Sequence, residues 1–453
     1  MPLPAGSSES QRNKRLAFLS HTLGFTWAIL ISVGGRLCNA LLVPVTLGFI
    51  THALTPEQQG FYYTFSSVFA LQSFLELGFL SCISHVASHH NRADVADPGG
   101  NHHEIRLLIG YGFLYAVGIA LLAFIFVGGI GWFFIRSGKT DVAFAFFPWC
   151  AFVSVSCLNI CISPVMAILD GCNKVLFTST MRMIGMLANG IGLCIALYQG
   201  FGLYSLAIGI GASVLITSLG LLFKFTHLLT GWWREVGAAV TRWHRVILPF
   251  QGKIAVSTVC SYLLGTLFTP ILYRFSSAEA AGRFGMSLQL LNSIGAIALV
   301  WTTTKTGIYG SLAQQKDYVV LERLFTRTTL QSAIFAFLGV LGLLLAYWVA
   351  SDRFAFFSRM LPWHEVAVLG WPVIVIQFTV AFSSLSRAFG QERLLVAGIF
   401  HTIIHVTLLL VLIPAFAETG AVWTQVISYT FGWGCAVAIY RRFRREMLLN
   451  HHG

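Results

Sequence analysis

The sequence predicts an all-α polytopic membrane protein with about 12 transmembrane helices. The first observation is composition, because 56% of the 453 residues are hydrophobic and only 10% are charged. A soluble core could not bury that much apolar side chain. The second observation is that these residues form long apolar runs, which follow one another with only short polar breaks.

Each apolar run is long enough to form one membrane helix, since about 20 residues span the hydrocarbon core. The first run follows a polar segment at residues 1–15. It is too long for a signal-peptide core and no small-residue cleavage site follows it, so we expect this helix to be retained. The twelve runs lie at residues 24–50, 60–88, 106–135, 142–169, 175–198, 203–224, 248–272, 281–310, 327–350, 364–388, 394–414 and 421–440.

Lysine and arginine are concentrated on one side of the predicted helices, and cytoplasmic loops are the ones enriched in these residues. With the N-terminus inside, inner turns and helix ends carry most of them, and both termini are expected in the cytoplasm. Most of the net charge of +12 then reflects topology, so no nucleic-acid partner is predicted. The basic residues on the outer side are Arg136, Lys139, Arg274, Arg283, Arg353 and Arg359.

Turn motifs recur along the chain at a nearly constant offset. The outer turn TPEQQG, Thr55–Gly60, matches SAEAAG, Ser277–Gly282, as [ST]-x-E-x-x-G at an offset of 222 residues. Thr55 is a suitable helix N-cap, and Glu57 in the first turn favours a helix start. The inner turn at Gly171 matches that at Gly390 at an offset of 219 residues. These matches predict duplication of a six-helix unit, with two parallel copies related by an axis along the membrane normal.

The repeat defines the predicted domains. An N-terminal six-helix lobe covers residues 1–224 and a C-terminal lobe covers residues 248–440. Residues 225–247 place tryptophans and valines on one helical face with arginines around them, which is typical of an amphipathic helix at the cytoplasmic membrane surface. An anchoring loop with interfacial tryptophans explains this linker equally well. Residues 441–453 are predicted to be a basic cytoplasmic tail.

Four ionisable residues lie inside the predicted spans: Arg36, Glu76, Lys253 and Lys305. Each costs at least about 2.5–3.5 kcal/mol to insert, so such groups normally face a bundle interior or a wet cavity. Arg36 and Glu76 both lie roughly 18 Å from the inner helix ends, and this shared depth predicts an ion pair. Lys253 and Lys305 lie roughly 8 Å in. The alternatives are an ion pair that only locks the fold, and lysines that snorkel to inner headgroups.

Other polar residues do not predict a metal or disulfide site. The nine cysteines lie within or at the edges of apolar runs, where they act as small apolar residues. The histidines between His89 and Arg106 lack zinc-type spacing, so no metal site is predicted. His401 and His405, four residues apart on one helix, could face a proton or a sugar, although hydrogen-bonded interior histidines are the simpler interpretation.

The run ALTPEQQGFYYTFSSVFALQSFLELGFLSCISHVASH, Ala53–His89, resembles the start of Wzx-type oligosaccharide and polysaccharide flippases, in which a T-x-E-x-x-G-like outer turn leads into a helix containing ELG. The resemblance continues through Arg274–Trp301 and Leu197–Gly211. It implies the fold of the multidrug/oligosaccharidyl-lipid/polysaccharide exporter superfamily, a MATE-like arrangement of two six-helix lobes around a central cavity that opens alternately to each side.

The resemblance also implies a function, and no enzymatic activity. The expected cargo is a polyprenyl-pyrophosphate-linked oligosaccharide, moved from the cytoplasmic to the periplasmic leaflet of the bacterial inner membrane for surface or exopolysaccharide assembly. By extension, Arg36, Lys253 and Lys305 would contact the anionic pyrophosphate. Glu76 would tune Arg36 or carry a coupling proton. No cofactor is expected beyond coupling H+ or Na+, and the partners would be membrane lipids, a polysaccharide polymerase and other assembly proteins.

Two other functions are weighed against the flippase. A MATE-like ion-coupled exporter of small molecules has the same fold, but exporters of cations need acidic cavities and here embedded bases outnumber acids. A membrane glycosyltransferase or polymerase is expected to have a sizeable catalytic outer loop. The longest outer segment of this chain, near residues 351–363, has an ordinary connection length.

Overall fold

The computed structural model describes residues 27–95, 103–136, 143–229, 256, 259–260, 262–351 and 354–449. These residues form helices and turns, and no strand occurs among them. Eight of the described helices are long and apolar enough to cross a membrane, or nine if the bent pair Pro56–Glu76 and Phe79–Ser88 is one span. The predicted all-α polytopic fold is therefore confirmed, and the protein is a multi-pass membrane protein.

Large apolar side chains cover the outside of the helices, as expected of surfaces that face lipid. Phe133, Phe223 and Trp348 are 75%, 87% and 82% exposed. In the helix Tyr318–Ala350, only 11% of the residues in an apolar 18-residue stretch are buried inside the protein. Such surfaces would be unfavourable in water and are satisfied by hydrocarbon.

The N-terminal half is a bundle of nine described helices. They are α1 Trp27–Ala53, α2 Pro56–Phe69, α3 Gln72–Glu76, α4 Phe79–Val95, α5 His103–Leu122, α6 Gly128–Arg136, α7 Phe146–Gly171, α8 Val175–Tyr198 and α9 Ser205–Leu229. Helix α7 packs against α4, α5 and α9, and α8 packs against α1 and α9. A short π-helical stretch, Ala123–Val127, separates α5 from α6 within one span.

The C-terminal half is a second bundle of described helices. They are α10 Phe268–Phe275, α11 Ala278–Ala298, α12 Val300–Thr303, α13 Thr306–Gln314, α14 Tyr318–Ala350, α15 Ala355–Ser358, α16 Trp363–Ala388 and α17 Leu395–Leu449. Helix α16 packs against α14 and α17, and α11 packs against α10, α14 and α16. Of the seventh predicted span, residues 256, 259–260 and 262–272 are described.

Helix α17 is two antiparallel limbs, because the chain reverses at Ala417, whose φ is 50°. Across the reversal, the imidazole of His405 lies 2.8 Å from the hydroxyl of Ser428. A Cβ atom on Gly420 would lie 2.1 Å from the carbonyl oxygen of Leu412, which explains a glycine in this tight turn. The limbs correspond to the last two predicted spans. The second limb continues to Leu449, so residues 441–449 of the predicted tail are helical.

Both copies of the repeated outer turn begin a helix in the way the sequence predicts. The hydroxyl of Thr55 accepts a hydrogen bond from the backbone N–H of Gln58, and the Gln58 side chain accepts one from the backbone N–H of Thr55. Ser277 caps α11 in the same way, accepting from the N–H of Ala280 at 3.0 Å. These capping bonds satisfy amide groups that would otherwise lack partners.

The glycines of these two turns bring the halves of the protein together. A Cβ atom on Gly60 would lie 1.8 Å from the carbonyl oxygen of Ala278, and one on Gly282 would lie 3.0 Å from the amide nitrogen of Gly60. Buried Gln59 donates from Nε2 to the carbonyl oxygens of Gly282 at 3.1 Å and Arg359 at 3.3 Å. Close packing of α2 on α11 therefore requires glycine at the repeated position.

Candidate functional site

A polar cavity of about 630 Å³ lies inside the N-terminal bundle, between α4, α7, α8 and α9. We call it the amide cavity, because carboxamides and hydroxyls supply most of its polar groups. Its polar lining comes from residues that are far apart in sequence and lie inside apolar helices. These residues are Ser81, Ser84, Asn159, Ser163, Asp170, Arg182, Asn189, Ser213 and Thr217.

One ion pair contributes the charge of the amide cavity. Arg182 Nη2 lies 2.5 Å from Asp170 Oδ2, and the Thr178 hydroxyl donates to Asp170 Oδ1. Asp170 is in the last turn of α7 and Arg182 in the second turn of α8, so the short inner turn between them places the two groups together. The pair leaves this cavity with no net formal charge, although it remains strongly polar.

A second polar cavity of about 470 Å³ adjoins the amide cavity, with Asn159, Asn189 and Ser213 lining both. It extends between α2, α7, α8 and α9. The buried Ser156 hydroxyl and the Gln72 Oε1 atom, both from residues in its lining, have no hydrogen-bond partner among the residues that the structure describes. Buried polar groups without partners are costly, so these atoms are suited to hydrogen bonds with a ligand or with water.

Glu76 and Lys305 both lie at breaks in their spans. Glu76, which is partly buried, is the last residue of α3 and precedes Leu77 and Gly78, whose φ angles are 45° and 75°. Lys305 is the residue before α13, where the corresponding span of the C-terminal half is interrupted. Because α13 ends at Gln314, Lys305 lies about nine residues, or roughly 14 Å, from the inner helix end, deeper than the sequence predicted.

The other two predicted site residues are not described at the side-chain level. Arg36 lies on α1, but its side chain is outside the described residues, as is the whole of Lys253. The predicted ion pair between Arg36 and Glu76 therefore stays a prediction. Neither Glu76 nor Lys305 lines the two polar cavities.

Sequence reasoning missed the residues of the amide cavity. It counted Arg182 only as an inner-side charge, and it passed over Asn159 and Asn189 because they carry no charge. Each of these asparagines stands alone in an otherwise apolar stretch, and that was the available signal. Among the described residues, no group of three or more His, Cys, Asp or Glu side chains could hold a metal ion.

No family model matches the sequence, and no curated protein matches it. Solved structures do match. The lipid II flippase MurJ in an inward closed conformation aligns with a TM-score of 0.65 and 12% identity, covering 93% of this chain and 90% of that one. An inward-facing multidrug resistance MATE family transporter of the MOP superfamily aligns with a TM-score of 0.59 and 14% identity, covering 92% and 98%.

A third structure, the MATE multidrug transporter DinF-BH in complex with R6G, aligns with a TM-score of 0.59 and 16% identity over 94% of this chain and 95% of that one. The fold is therefore that of MOP superfamily transporters. These structural neighbours are transporters and a flippase rather than enzymes. Identities this low define the fold, and the argument for a cargo depends on the cavities.

Proposed function

We propose that this protein is an alternating-access transporter that flips a polyprenyl-pyrophosphate-linked oligosaccharide from the cytoplasmic to the periplasmic leaflet of the bacterial inner membrane. The observation that carries the proposal is the pair of adjoining polar cavities in the N-terminal bundle. Lipid-linked cargo has a hydroxyl-rich glycan, an anionic pyrophosphate and an apolar chain, and each part needs a different environment.

The amide cavity suits the glycan. Asparagine carboxamides both donate and accept hydrogen bonds, and serine and threonine hydroxyls do the same, which matches the hydroxyls of a neutral sugar. The Asp170–Arg182 pair adds a strong acceptor and a strong donor without net charge. A volume of about 630 Å³ is within the range of ordinary ligand cavities.

The pyrophosphate would contact basic groups outside these cavities. We assign this contact to Arg36, Lys253 and Lys305, as the family resemblance implies. Lys305 lies where the helical backbone is interrupted. Irregular backbone inside a membrane protein is tolerated where it is covered by protein or lines a cavity. Glu76, at the corresponding break, would compensate Arg36 or carry a coupling proton.

The proposed architecture has two six-helix lobes, residues 1–224 and 248–440, joined by the linker 225–247 and followed by the basic segment 441–453. The helices α2 and α11 meet at the repeated outer turns, which supports closure of the outer side in this conformation. Membrane lipids and a polysaccharide polymerase with its assembly proteins are the proposed partners, and both termini are proposed to be cytoplasmic.

Replacement of the cavity carboxamides tests the proposal. Asn159→Leu and Asn189→Leu should each lower glycan export at least about tenfold, because a lost hydrogen bond and an unsatisfied sugar hydroxyl together cost more than about 1.4 kcal/mol. Membrane abundance should stay within about twofold of wild type, since leucine suits an apolar helix. The matched control is Leu158→Ala, because Leu158 is adjacent to Asn159 in sequence but does not line either cavity, and its side chain is 57% exposed. Full export by both asparagine variants would contradict the proposal.

The alternative function is a MATE-like ion-coupled exporter of small molecules, which the structural likeness to a multidrug transporter in complex with R6G supports. Its cargo would be apolar and cationic. The same variants discriminate the two functions. The exporter would be favoured by three results together: the wild-type protein expels a dye, Asn159→Leu and Asn189→Leu abolish this efflux, and no strain exports glycan.

A further inference from the structure

The C-terminal bundle contains a cavity that the proposed glycan and pyrophosphate contacts do not use. It has a volume of about 290 Å³ and lies between α16, both limbs of α17 and the helical residues before α10. We call it the histidine cavity. One end is formed by Arg387 and Glu392, an ion pair at 2.9 Å whose side chains are 59% and 58% exposed. Its lining also includes His401, Tyr429 and Trp433.

Glycine lets the imidazole of His401 occupy its place in the lining of this cavity. A Cβ atom on Gly432 would lie 2.8 Å from His401 Nδ1 and 3.0 Å from its Cε1. Gly432 and His401 both line the cavity, so a larger residue at position 432 would displace the ring from its place there. The other ring nitrogen, Nε2, is buried and has no hydrogen-bond partner within the described part of the chain.

A second histidine lies directly behind the first. His405 is fully buried, and its ring centroid is 6.2 Å from that of His401. The Ser428 hydroxyl lies 2.8 Å from His405 Nδ1 and also donates to the carbonyl oxygen of Gln425 at 3.4 Å. The His405 tautomer decides which of the two groups donates, and the bond satisfies His405 Nδ1 in either case.

The surroundings of His401 contain few groups that could fix its charge. The ring of Tyr429 meets that of His401 at 5.2 Å and 88°. Among the described residues, the other titratable or charged side chains that line the cavity or contact the His401 ring are Cys260, Arg387, Glu392, His405 and Tyr429. Glu392 is the one acid in this set, and it is paired with Arg387 at the exposed end.

We propose that His401 is a proton-binding residue that receives its proton through the histidine cavity from the side of the Arg387–Glu392 pair. A hydronium ion that enters the cavity breaks one O–H bond and becomes water, and the released proton forms an N–H bond with the unprotonated nitrogen of the neutral imidazole, which becomes an imidazolium. Imidazole is the side chain that changes charge near neutral pH. The aromatic face of Tyr429 or Trp433 is suited to a cation.

Proton binding at this place affects conformation as well as charge. An imidazolium closed off from water in an apolar bundle is unfavourable, so the protonated form favours conformations in which the cavity stays open. The neutral form lets α16 and α17 close around the ring. The inference rests on the proposed transport function only for its second step, in which this preference couples proton movement to cargo movement.

Intrinsic fluorescence of the purified full-length protein tests proton binding without any cargo. Trp433 and His401 both line the cavity, and a protonated imidazole quenches an indole that it can approach. The Trp433 contribution, obtained as wild type minus Trp433→Phe, should fall about twofold as the pH is lowered from about 8 to about 4, because an apolar bundle disfavours the imidazolium until the solution is acidic. His401→Gln should abolish this fall, and His364→Gln, a change at an exposed histidine, should leave it intact.

A glycine pair provides a second test that keeps the imidazole. Gly432→Ala places a methyl group against His401 Nδ1 and should reduce the fluorescence change at least about threefold. Gly434→Ala, on the same limb with no atom within 4 Å of the added Cβ, should not. A wild-type Trp433 signal that is flat with pH overturns the proposal. So does an unchanged response in monodisperse His401→Gln or Gly432→Ala protein.

Glycan export by the same strains tests the coupling step separately. His401→Gln should lower export at least about tenfold at normal membrane abundance, with a weaker dependence on medium pH than in wild type. Normal export combined with a lost fluorescence response would overturn coupling through His401. Absence of glycan export from the wild type would contradict the proposed function and leave the result on proton binding intact.

Discussion

Single residues explain why irregular backbone occurs inside a membrane span. Leu77 and Gly78 both adopt positive φ angles directly after Glu76, so the ELG sequence ends one helix and begins another. Positive φ is strained for leucine and easy for glycine, and such strain often marks functional positions. The embedded carboxylate thus lies at the point where the span bends by 47°, rather than within a regular helix.

The Arg36 and Glu76 pair is tested at this scale. If Arg36 binds pyrophosphate, Arg36→Ala should abolish glycan export while the folded protein remains in the membrane. Arg36→Lys should rescue poorly, because a point charge replaces a bidentate guanidinium. Glu76→Gln keeps the shape of the side chain, so it should alter substrate or proton dependence more than abundance.

A double variant distinguishes this role from a structural ion pair. Arg36→Leu with Glu76→Leu removes both charges, and a purely structural pair tolerates this change better than either single loss. The measurement is glycan export together with membrane abundance for the single and double variants. Normal export from the double variant would eliminate the functional interpretation of both residues.

At the scale of elements, the contact between α2 and α11 determines how the two bundles meet. Residues at equivalent positions of the repeat face each other there. Gly60 contacts Gly282 and Tyr63 contacts Gly285, and the two members of each pair are 222 residues apart in sequence. Tyr262 adds a hydrogen bond to the carbonyl oxygen of Ser67 at 3.4 Å. Such self-complementary contact is expected near an axis that relates two copies.

Substitution of the repeated glycine should open this contact. In Gly60→Ala, the added methyl group meets backbone atoms of α11, which cannot rotate away, so the outer ends of α2 and α11 should separate. A cysteine at Met286, fully buried in this contact, should then react with an impermeant thiol reagent in intact cells at least about fivefold faster than in the parent. Export should fall in parallel.

The control for this prediction is Gly118→Ala, at a helical position with no atom within 4 Å of the added Cβ. It should leave the labelling rate and export unchanged. Equal labelling of the cysteine in the Gly60→Ala and Gly118→Ala backgrounds would show that the contact does not control access from outside.

At the scale of the whole molecule, ion pairs fix the end of the C-terminal bundle where α17 finishes. Arg393 pairs with Glu446 at 2.7 Å, and Arg444 pairs with Glu322. Phe443 and Met447 are buried in the same region, so the second limb of α17 is anchored to α14 and to the turn after α16. The basic residues near this end are among those from which the sequence predicts the cytoplasmic side.

Labelling of single cysteines tests the orientation directly. In a cysteine-free background, cysteines at Gln58, Lys139 and Glu418 should react with an impermeant thiol reagent in intact cells. Lysine and arginine are concentrated on the opposite side of the predicted helices, which predicts that these turns lie outside. Cysteines at Asp97 and Gln314 should react only after the cells are opened. The opposite pattern would invert the topology, and a pattern that changes partway along the chain would indicate an odd number of crossings.

The repeat makes a second prediction for the whole molecule, namely that residues 24–224 superpose on residues 248–440 by rotation about an axis along the membrane normal. An experimental structure with both halves complete provides the measurement. Superposition that requires inversion of one half would contradict the duplication of a six-helix unit, because an even number of helices leaves the copies parallel.

The sequence by itself determined the fold class, most helix positions and the caps of the repeated turns. These features depend on local properties, since a run of about 20 apolar residues forms a helix in a membrane whatever its neighbours are. Val175–Tyr198 therefore has the predicted bounds, and Thr55 and Ser277 cap as expected. The embedded ionisable residues were also visible from sequence, because each one interrupts an apolar run at a recognisable cost.

Only the tertiary structure decided which side chains meet. Asn159, Asn189 and Ser213 line one cavity because three helices are rotated to face each other, and a helix that is apolar all round carries little periodicity to reveal its rotation. The role of the repeated glycines likewise required the backbone of the other half, since a close approach involves atoms about 220 residues away. The position of the His401 ring likewise depends on Gly432, which packs against it from the other limb of α17. Apolar patterning predicts the two limbs but not which of their faces meet.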